Sequence, residues 1–138
     1  MPRLQRENFD VGKEICALTS KNQRTGAAVS FLGVVRDFSR GEDIEKLDFE
    51  HYPGMAEKQL EMLETKAMEK FDILDCLIIH RTGVITVNEN IVLIIAISMH
   101  RRVAFRACEW MINTLKKNIP IWKKEFSTTG KYWVEDHP

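Results

Sequence analysis

Short apolar runs and amphipathic stretches alternate along the chain, and the period of each indicates the element it builds. Behind Asp10, Val11, Ile15 and Leu18 recur every three or four residues, which predicts a helix capped by Asp10 and ending near Asn22, with Cys16 beside its apolar stripe. The run GAAVSFLGVVR at 26–36 is small, apolar or β-branched almost throughout, the signature of a strand buried on both faces and ending at Arg36. DFSRGED at 37–43 reads as a loop. From Ile44 to Tyr52, Leu47 and Phe49 alternate with Lys46, Asp48 and Glu50, the period of a half-buried strand that Pro53 closes. Ala56, Leu60, Leu63, Ala67 and Phe71 follow helical spacing and predict an amphipathic helix over 54–71.

Ile73 to Arg81 reads as a strand and Gly83 to Val87 as a short one, and Asn88-Glu89-Asn90 turns the chain into the very apolar strand Ile91 to Met99. Val103, Ala107, Trp110, Met111 and Leu115 mark a helix beginning near Arg101 and ended by Pro120. IWKKEF and KYWVE flank the turn residues Ser127 to Gly130 as a closing hairpin. Several links between strands are too short for a parallel crossover, so the expected class is α+β, a mainly antiparallel sheet with flanking helices. At 138 residues, 1–138 suits one domain.

Composition narrows the function by exclusion. Twenty Lys plus Arg balance twenty Asp plus Glu, so no bulk field draws the chain to nucleic acid or anionic lipid, and any basic site must be local. The three cysteines, Cys16, Cys76 and Cys108, are odd in number and form no C-x-x-C pair, which favours a reducing compartment and buried, inert thiols. If this protein handles sulfur, the sulfur must come from elsewhere. The longest wholly apolar stretch, Ile91 to Ile97, falls far short of the roughly 18 residues that span a bilayer, and the first dozen residues hold no apolar signal core. A cytoplasmic location is expected.

Candidate chemistry starts at S-M-H-R-R, where a buried strand ends in His100 and Arg101 just as a helix begins. Free backbone N–H groups and the helix dipole make this an anion site suited to phosphate, or else a solvated strand end with a capping histidine. Lys116 and Lys117 lie in the last turns of that helix, where lysines are expected on structural grounds alone. In the following strand Ile121, Lys123 and Glu125 share one face, and Trp122, Lys124 and Phe126 the other, so one lysine is directed with the core or toward a cleft floor. A lysine held against apolar surface has its charged form disfavoured, which makes it usable as an acid or base. Arg36 at a strand end is either an ordinary surface charge or a third basic group, and His51 and His80 read as structural histidines. No Cys/His cluster or H-E-x-x-H suggests a metal, and no G-x-G-x-x-G, Walker loop or G-x-S-x-G supports a nucleotide-loop enzyme or esterase.

Taken in order, F-L-G-V-V-R at 31–36, L-D-F-E-H-Y-P-G-M-A-E at 47–57, H-R-T-G at 80–83, S-M-H-R-R-V-A-F at 98–105, L-K-K-N-I-P-I-W-K-K-E at 115–125 and W-V-E at 133–135 resemble the large, catalytic subunit of molybdopterin synthase. The resemblance implies an α/β-hammerhead type of fold. It also implies a heterotetramer in which two large subunits dimerise and a small ubiquitin-like sulfur-carrier subunit docks on each outer end. The carrier's C-terminal thiocarboxylate would deliver sulfur to cyclic pyranopterin monophosphate, two transfers building the dithiolene of molybdopterin, with no cofactor and no covalent enzyme cysteine. The family's functional positions fall on Arg36, His100, Arg101, Lys116 and Lys123, with Val34, Val35, Lys124 and Glu125 in the same binding segments. Arg36, His100 and Arg101 are assigned to substrate binding, and Lys116 and Lys123 to the chemistry. Members often carry a further basic residue beyond W-V-E, where this chain has Asp136 and His137.

Local cations fit such a reaction, because a phosphorylated substrate and an anionic thiocarboxylate repel each other. If one helix joins Arg101 to Lys116, their backbones stand about 22 Å apart, at about 1.5 Å per residue. One small phosphate does not bridge that span, so the His100/Arg101 end of one large subunit is expected to complete the Lys116/Lys123 site of its dimer mate. Two rivals remain at this point: an adaptor that holds a ubiquitin-like tail in the same cleft, and an RNA-binding module stacking bases on Trp122 and Tyr132.

Overall fold

The computed structural model describes residues 1–39, 41–127 and 130–134; Arg40, the turn centre Thr128-Thr129, and Glu135, Asp136 and His137 of the expected tail lie outside the described residues, as does the side chain of Tyr132. Its elements, in chain order, are β1 (Arg3–Gln5), α1 (Val11–Ser20), β2 (Ala27–Val34), β3 (Phe38–Ser39), β4 (Glu42–His51), α2 (Met55–Lys70), β5 (Asp75–Arg81), β6 (Gly83–Thr86), β7 (Asn90–Ser98), α3 (Arg101–Asn118), β8 (Ile121–Ser127) and β9 (Lys131–Val134). The first sheet runs β1-β5-β7-β2, and the second runs β3-β4-β8-β9 with β6 also paired to β4. Among the described residues only β1 and β5 pair in parallel; the other pairs are antiparallel. The class is α+β.

Alternation along the central strands splits the core in two. Ile78 of β5 with Val92, Ile94 and Ala96 of β7 face the larger cluster, shared with α2, α3 and the second sheet. Leu77, Ile79, Leu93, Ile95 and Ile97 face the smaller one, which α1 covers with Leu18. Asp10 caps α1 by accepting the Lys13 N–H at 3.0 Å. The chain crosses from one sheet to the other between β5 and β6, where Gly83 takes φ +82°, a conformation open to glycine at no steric cost.

Three sequence expectations change, and one short strand has no sequence signal. The 26–36 segment is not buried on both faces: β2 is an edge strand, and Leu32 and Val34 are 38% and 42% exposed, because α1 packs over β5 and β7 and stops short of β2. The 37–43 segment is not all loop: it holds β3, with Phe38 opposite Asp43 and Ser39 opposite Glu42, and two-residue pairing leaves no period to read. Cys16 is exposed, since one residue beyond Ile15 the helix has turned about 100° away from the packed stripe, whereas Cys76 and Cys108 are buried. β1 escaped notice because three residues are too few to show a period.

Beside β1 lies a buried carboxylate. The pairing of β1 with β5 starts at Ile79, and past its end Glu64 of α2 accepts the Ile78 N–H at 2.8 Å, supplying an acceptor where no strand does. Burial holds this carboxyl above the usual carboxylate range, partly offset by the Ile78 bond. A carboxyl that keeps its proton more tightly when folded stabilises most below its ordinary pKa and loses that contribution as the pH rises through the raised value. Wild type should therefore lose stability relative to Glu64→Gln across that acid window and hold a constant difference above it, read from urea midpoints at several pH values. Glu64→Ala, which orphans the Ile78 N–H, should cost about 1–3 kcal/mol.

Candidate active site

Where the two sheets converge on the C-terminal end of α3 they enclose a cavity of about 360 Å³. Each wall follows from strand register. Across the first sheet, His80 of β5, Val92 of β7 and Gly33 of β2 stand in one row and form one side. Across the second, Leu47 opposes Glu125 and Phe49 opposes Lys123, so two apolar and two charged side chains share the inner face. Leu115 and Lys116 of α3 and Ile119 just past its end close the cavity, and Arg36 and Val34 reach it from the end of β2.

The β8 alternation read from the sequence holds in the fold. Ile121, Lys123 and Glu125 are buried, Lys123 at 8% exposure and Glu125 at 4%, while Trp122 is exposed on the opposite face. Lys124 also lies on that outer face, its ammonium 4.4 Å from the Trp133 ring centre, where the attraction of a cation for an aromatic face holds it outside the cavity. The Lys116 ammonium is pushed below the ordinary lysine pKa, first by burial and then by the neighbouring Arg36 charge. Glu125 Oε1 is buried without a hydrogen-bond partner among the described residues.

The structure therefore gathers Val34, Arg36, Lys116, Lys123 and Glu125 into one cavity. Val35 does not line it: its side chain is 1% exposed in the core, and its backbone pairs with Asn88 and Glu89. His100 and Arg101 are exposed at the far end of the 18-residue α3, about 26 Å of helix at about 1.5 Å per residue. His100 occupies the N-cap position without a side-chain capping bond, so it is not the capping histidine of the alternative reading.

His80 bonds the Arg81 carbonyl oxygen through Nδ1 at 2.7 Å, as a structural histidine does, and it also belongs to the site with Phe49 and Gly33, which no local sequence pattern marks. Each lies in the wall, and the relevant signal, the register between strands distant in sequence, is absent from any local window. The thiols stay out: no cysteine lines the cavity among the described residues, and burial pushes Cys76 up to about 12 and Cys108 up to about 11. Nor does any group of three or more His, Cys, Asp or Glu side chains among the described residues come together to hold a metal ion. Among the described residues no helix is long and apolar enough to cross a membrane.

Comparison with known proteins fits this geometry. Residues 4–118 match the family described as MoaE protein. The chain belongs to the MoaE family. It is 43% identical over 133 residues to the molybdopterin synthase catalytic subunit of Ralstonia nicotianae, covering 96% of this chain and 76% of that protein. With its counterpart from Pyrococcus abyssi it shares 41% identity, over 94% of this chain and 86% of the other. The crystal structure of molybdopterin synthase from Staphylococcus aureus superposes with a TM-score of 0.87 at 35% identity, covering 96% of this chain and 95% of that one.

In this MoaE-family chain the shape of the cavity depends on Gly33. A Cβ there would stand 2.8 Å from Val92 Cγ1, and a valine is stiff at χ1. Gly33→Ala should cost about 1–3 kcal/mol through overpacking, and adding Val92→Ala should recover most of it. Denaturation midpoints of the two variants check this; no recovery in the double variant would mean that Val92 is not the obstacle.

Proposed function

We propose that the chain is the catalytic subunit of a molybdopterin synthase, a sulfurtransferase of molybdenum cofactor biosynthesis. It takes sulfur from the C-terminal thiocarboxylate of a small ubiquitin-like carrier subunit and transfers it to cyclic pyranopterin monophosphate, forming the dithiolene of molybdopterin. The observation that carries this reading is the convergence of Arg36, Lys116 and Lys123 in one walled cavity of a chain whose net charge is zero. Two anions that must react there repel each other, and fixed cations in a poorly hydrated site offset that repulsion without reorganising. Arg36 offers its planar fork to phosphate. Lys116 and Lys123 hold the carrier's terminal carbonyl, stabilise charge as sulfur transfers and move a proton. The position of the thiols supports delivery of sulfur by a partner, since neither buried cysteine is a usable nucleophile. Residues 1–138 act as one catalytic domain, and three unbridged cysteines fit a reducing, cytoplasmic setting.

His100 and Arg101 enter the reaction from a second copy. They are too far along α3 to share a small substrate with Lys116 of their own chain, and a two-fold dimer can bring the N-terminal end of one α3 to the cavity of the other. Val35 and Lys124 flank the binding segments and hold them in place rather than touching the substrate.

The direct test is the mass of the pterin product after incubating the chain with cyclic pyranopterin monophosphate and thiocarboxylated carrier. A product carrying two sulfurs supports the enzyme, and tail binding without product supports an adaptor. Mixing Lys123→Ala chains with Arg101→Ala chains should restore activity in heterodimers, whereas activity no higher than either parent's would refute a shared site. Because Lys116 releases its proton more readily than an ordinary lysine, the alkaline fall in turnover should begin below the usual lysine range. Lys116→Arg should move that limb upward if charge alone is needed, and abolish turnover if the residue passes a proton.

A further inference from the structure

Lys116 and Lys123 are carried to the cavity by α3 and β8, whereas Arg36 stands two residues past the end of β2. Its place is therefore set by how the backbone is held on either side. On one side the Asp37 carbonyl accepts the Ile44 N–H at 2.7 Å, tying the chain to β4. On the other, Val35 exchanges bonds with the turn that leads into β7. The Val35 N–H donates to the Glu89 carbonyl at 3.0 Å, and the Val35 carbonyl accepts the Asn88 N–H at 2.8 Å. We propose that Glu89 is a positioning residue for Arg36: by holding the turn to which Val35 is tied, it sets where the guanidinium meets the cavity. The effect on substrate rests on Arg36 being the phosphate ligand of the proposed reaction.

Main chain and side chain of Glu89 act together. The carbonyl receives Val35, and the carboxylate closes the turn. Oε2 accepts the Thr86 N–H at 2.8 Å and the Thr86 hydroxyl, and the Glu89 N–H donates to the Thr86 carbonyl at 3.1 Å. Oε1 lies 3.5 Å from Nη1 of Arg81. That nitrogen also donates to the Asn90 carbonyl at 3.0 Å, and Arg81 Nε donates to the Arg6 carbonyl at 3.0 Å. Because Arg81 is buried, the turn is fastened to a fixed guanidinium at the end of β5. The two bonds from Thr86, and after them the Arg81 charge, hold the Glu89 carboxyl below the usual carboxylate range, so the tie is ionised at neutral pH.

Glu89 is not one of the residues that line the cavity, and this separates positioning from a direct electrostatic effect. After burial, it is the Arg36 charge that lowers the Lys116 pKa; the other titratable groups lining the cavity with Lys116 are His80, Lys123 and Glu125. Loss of a carboxylate that acted through its own field would lower the Lys116 pKa further. Release of Arg36 into solvent would raise it, because a neighbouring cation departs. The two roles predict opposite signs.

The test follows Lys116 in the full chain by NMR of isotope-labelled lysine side chains, its signal assigned with Lys116→Arg, and measures the Kd for cyclic pyranopterin monophosphate by calorimetry. Glu89→Ala should move the Lys116 titration to higher pH, across at least half the interval that separates wild type from Arg36→Ala. It should also weaken substrate binding about fivefold or more, the value of a hydrogen bond displaced from its partner. Glu89→Gln keeps an acceptor oxygen for Thr86 and loses the charge facing Arg81, so it should do both to a smaller extent, and it serves if Glu89→Ala does not fold. In an Arg36→Ala background neither Glu89 variant should add to either effect. A folded Glu89 variant with the Lys116 titration and Kd of wild type would overturn the proposal. So would a shift of Lys116 to lower pH, or losses that persist undiminished in the Arg36→Ala background. A shift to higher pH without weaker binding would uphold Glu89 and remove Arg36 as the phosphate ligand.

Discussion

The structure turns on bringing three cationic side chains to one cavity, with Lys123 buried, Lys116 half-buried and Arg36 exposed. Arg36, Lys116 and Lys123 repel one another, and the cost is visible at Lys116, where burial and the Arg36 charge both favour the neutral amine. Flexible cations would relax by swinging into solvent. Here the arrangement persists because each stem leaves a rigid element: Lys123 rises from β8, held between β4 and β9, and Lys116 from the last turn of α3. Glu125, two residues along the same face as Lys123, places a compensating acceptor within the wall. Gathered cations are the electrostatic condition that a phosphorylated substrate and an anionic tail require.

Helix α3 connects this site to the rest of the molecule. Its apolar stripe, including Ala104, Ala107, Met111 and Leu115, lies against β2 and β7, fixing the helix as a rod across the first sheet. One end contributes Lys116 to the cavity, and the other displays His100 and Arg101 to solvent beside the exposed Met99 and Phe105. Because an α-helix does not shorten, the packing that orders the cavity also separates the two basic groups of a single chain.

Much of the fold was legible in local periods. The helices at α1, α2 and α3, the strands β4 to β7 and the β8–β9 hairpin follow from spacing, Pro53 and Pro120, and the Asn88 turn, where φ is +72°. The failures share a cause. Burial of β2 depended on how far α1 reaches across the sheet, and the pairings of β1 and β3 involve too few residues to leave a pattern. The inward turn of Lys123 and Glu125 was legible because alternation in a strand is a local property.

By itself, the sequence determined which residues could carry the chemistry: a neutral chain with separated basic residues, thiols without partners, and motifs ordered as in the MoaE family. Only the tertiary structure decided which of those residues meet. It brought Arg36, Lys116 and Lys123 together, left His100 and Arg101 at the opposite end of α3, turned Lys124 onto Trp133, and drew His80 into the wall beside Phe49. The physical reason is that side-chain period is set within each element, whereas proximity between β2, β5, β8 and α3 is set by strand register and sheet packing, which couple residues nearly a hundred positions apart.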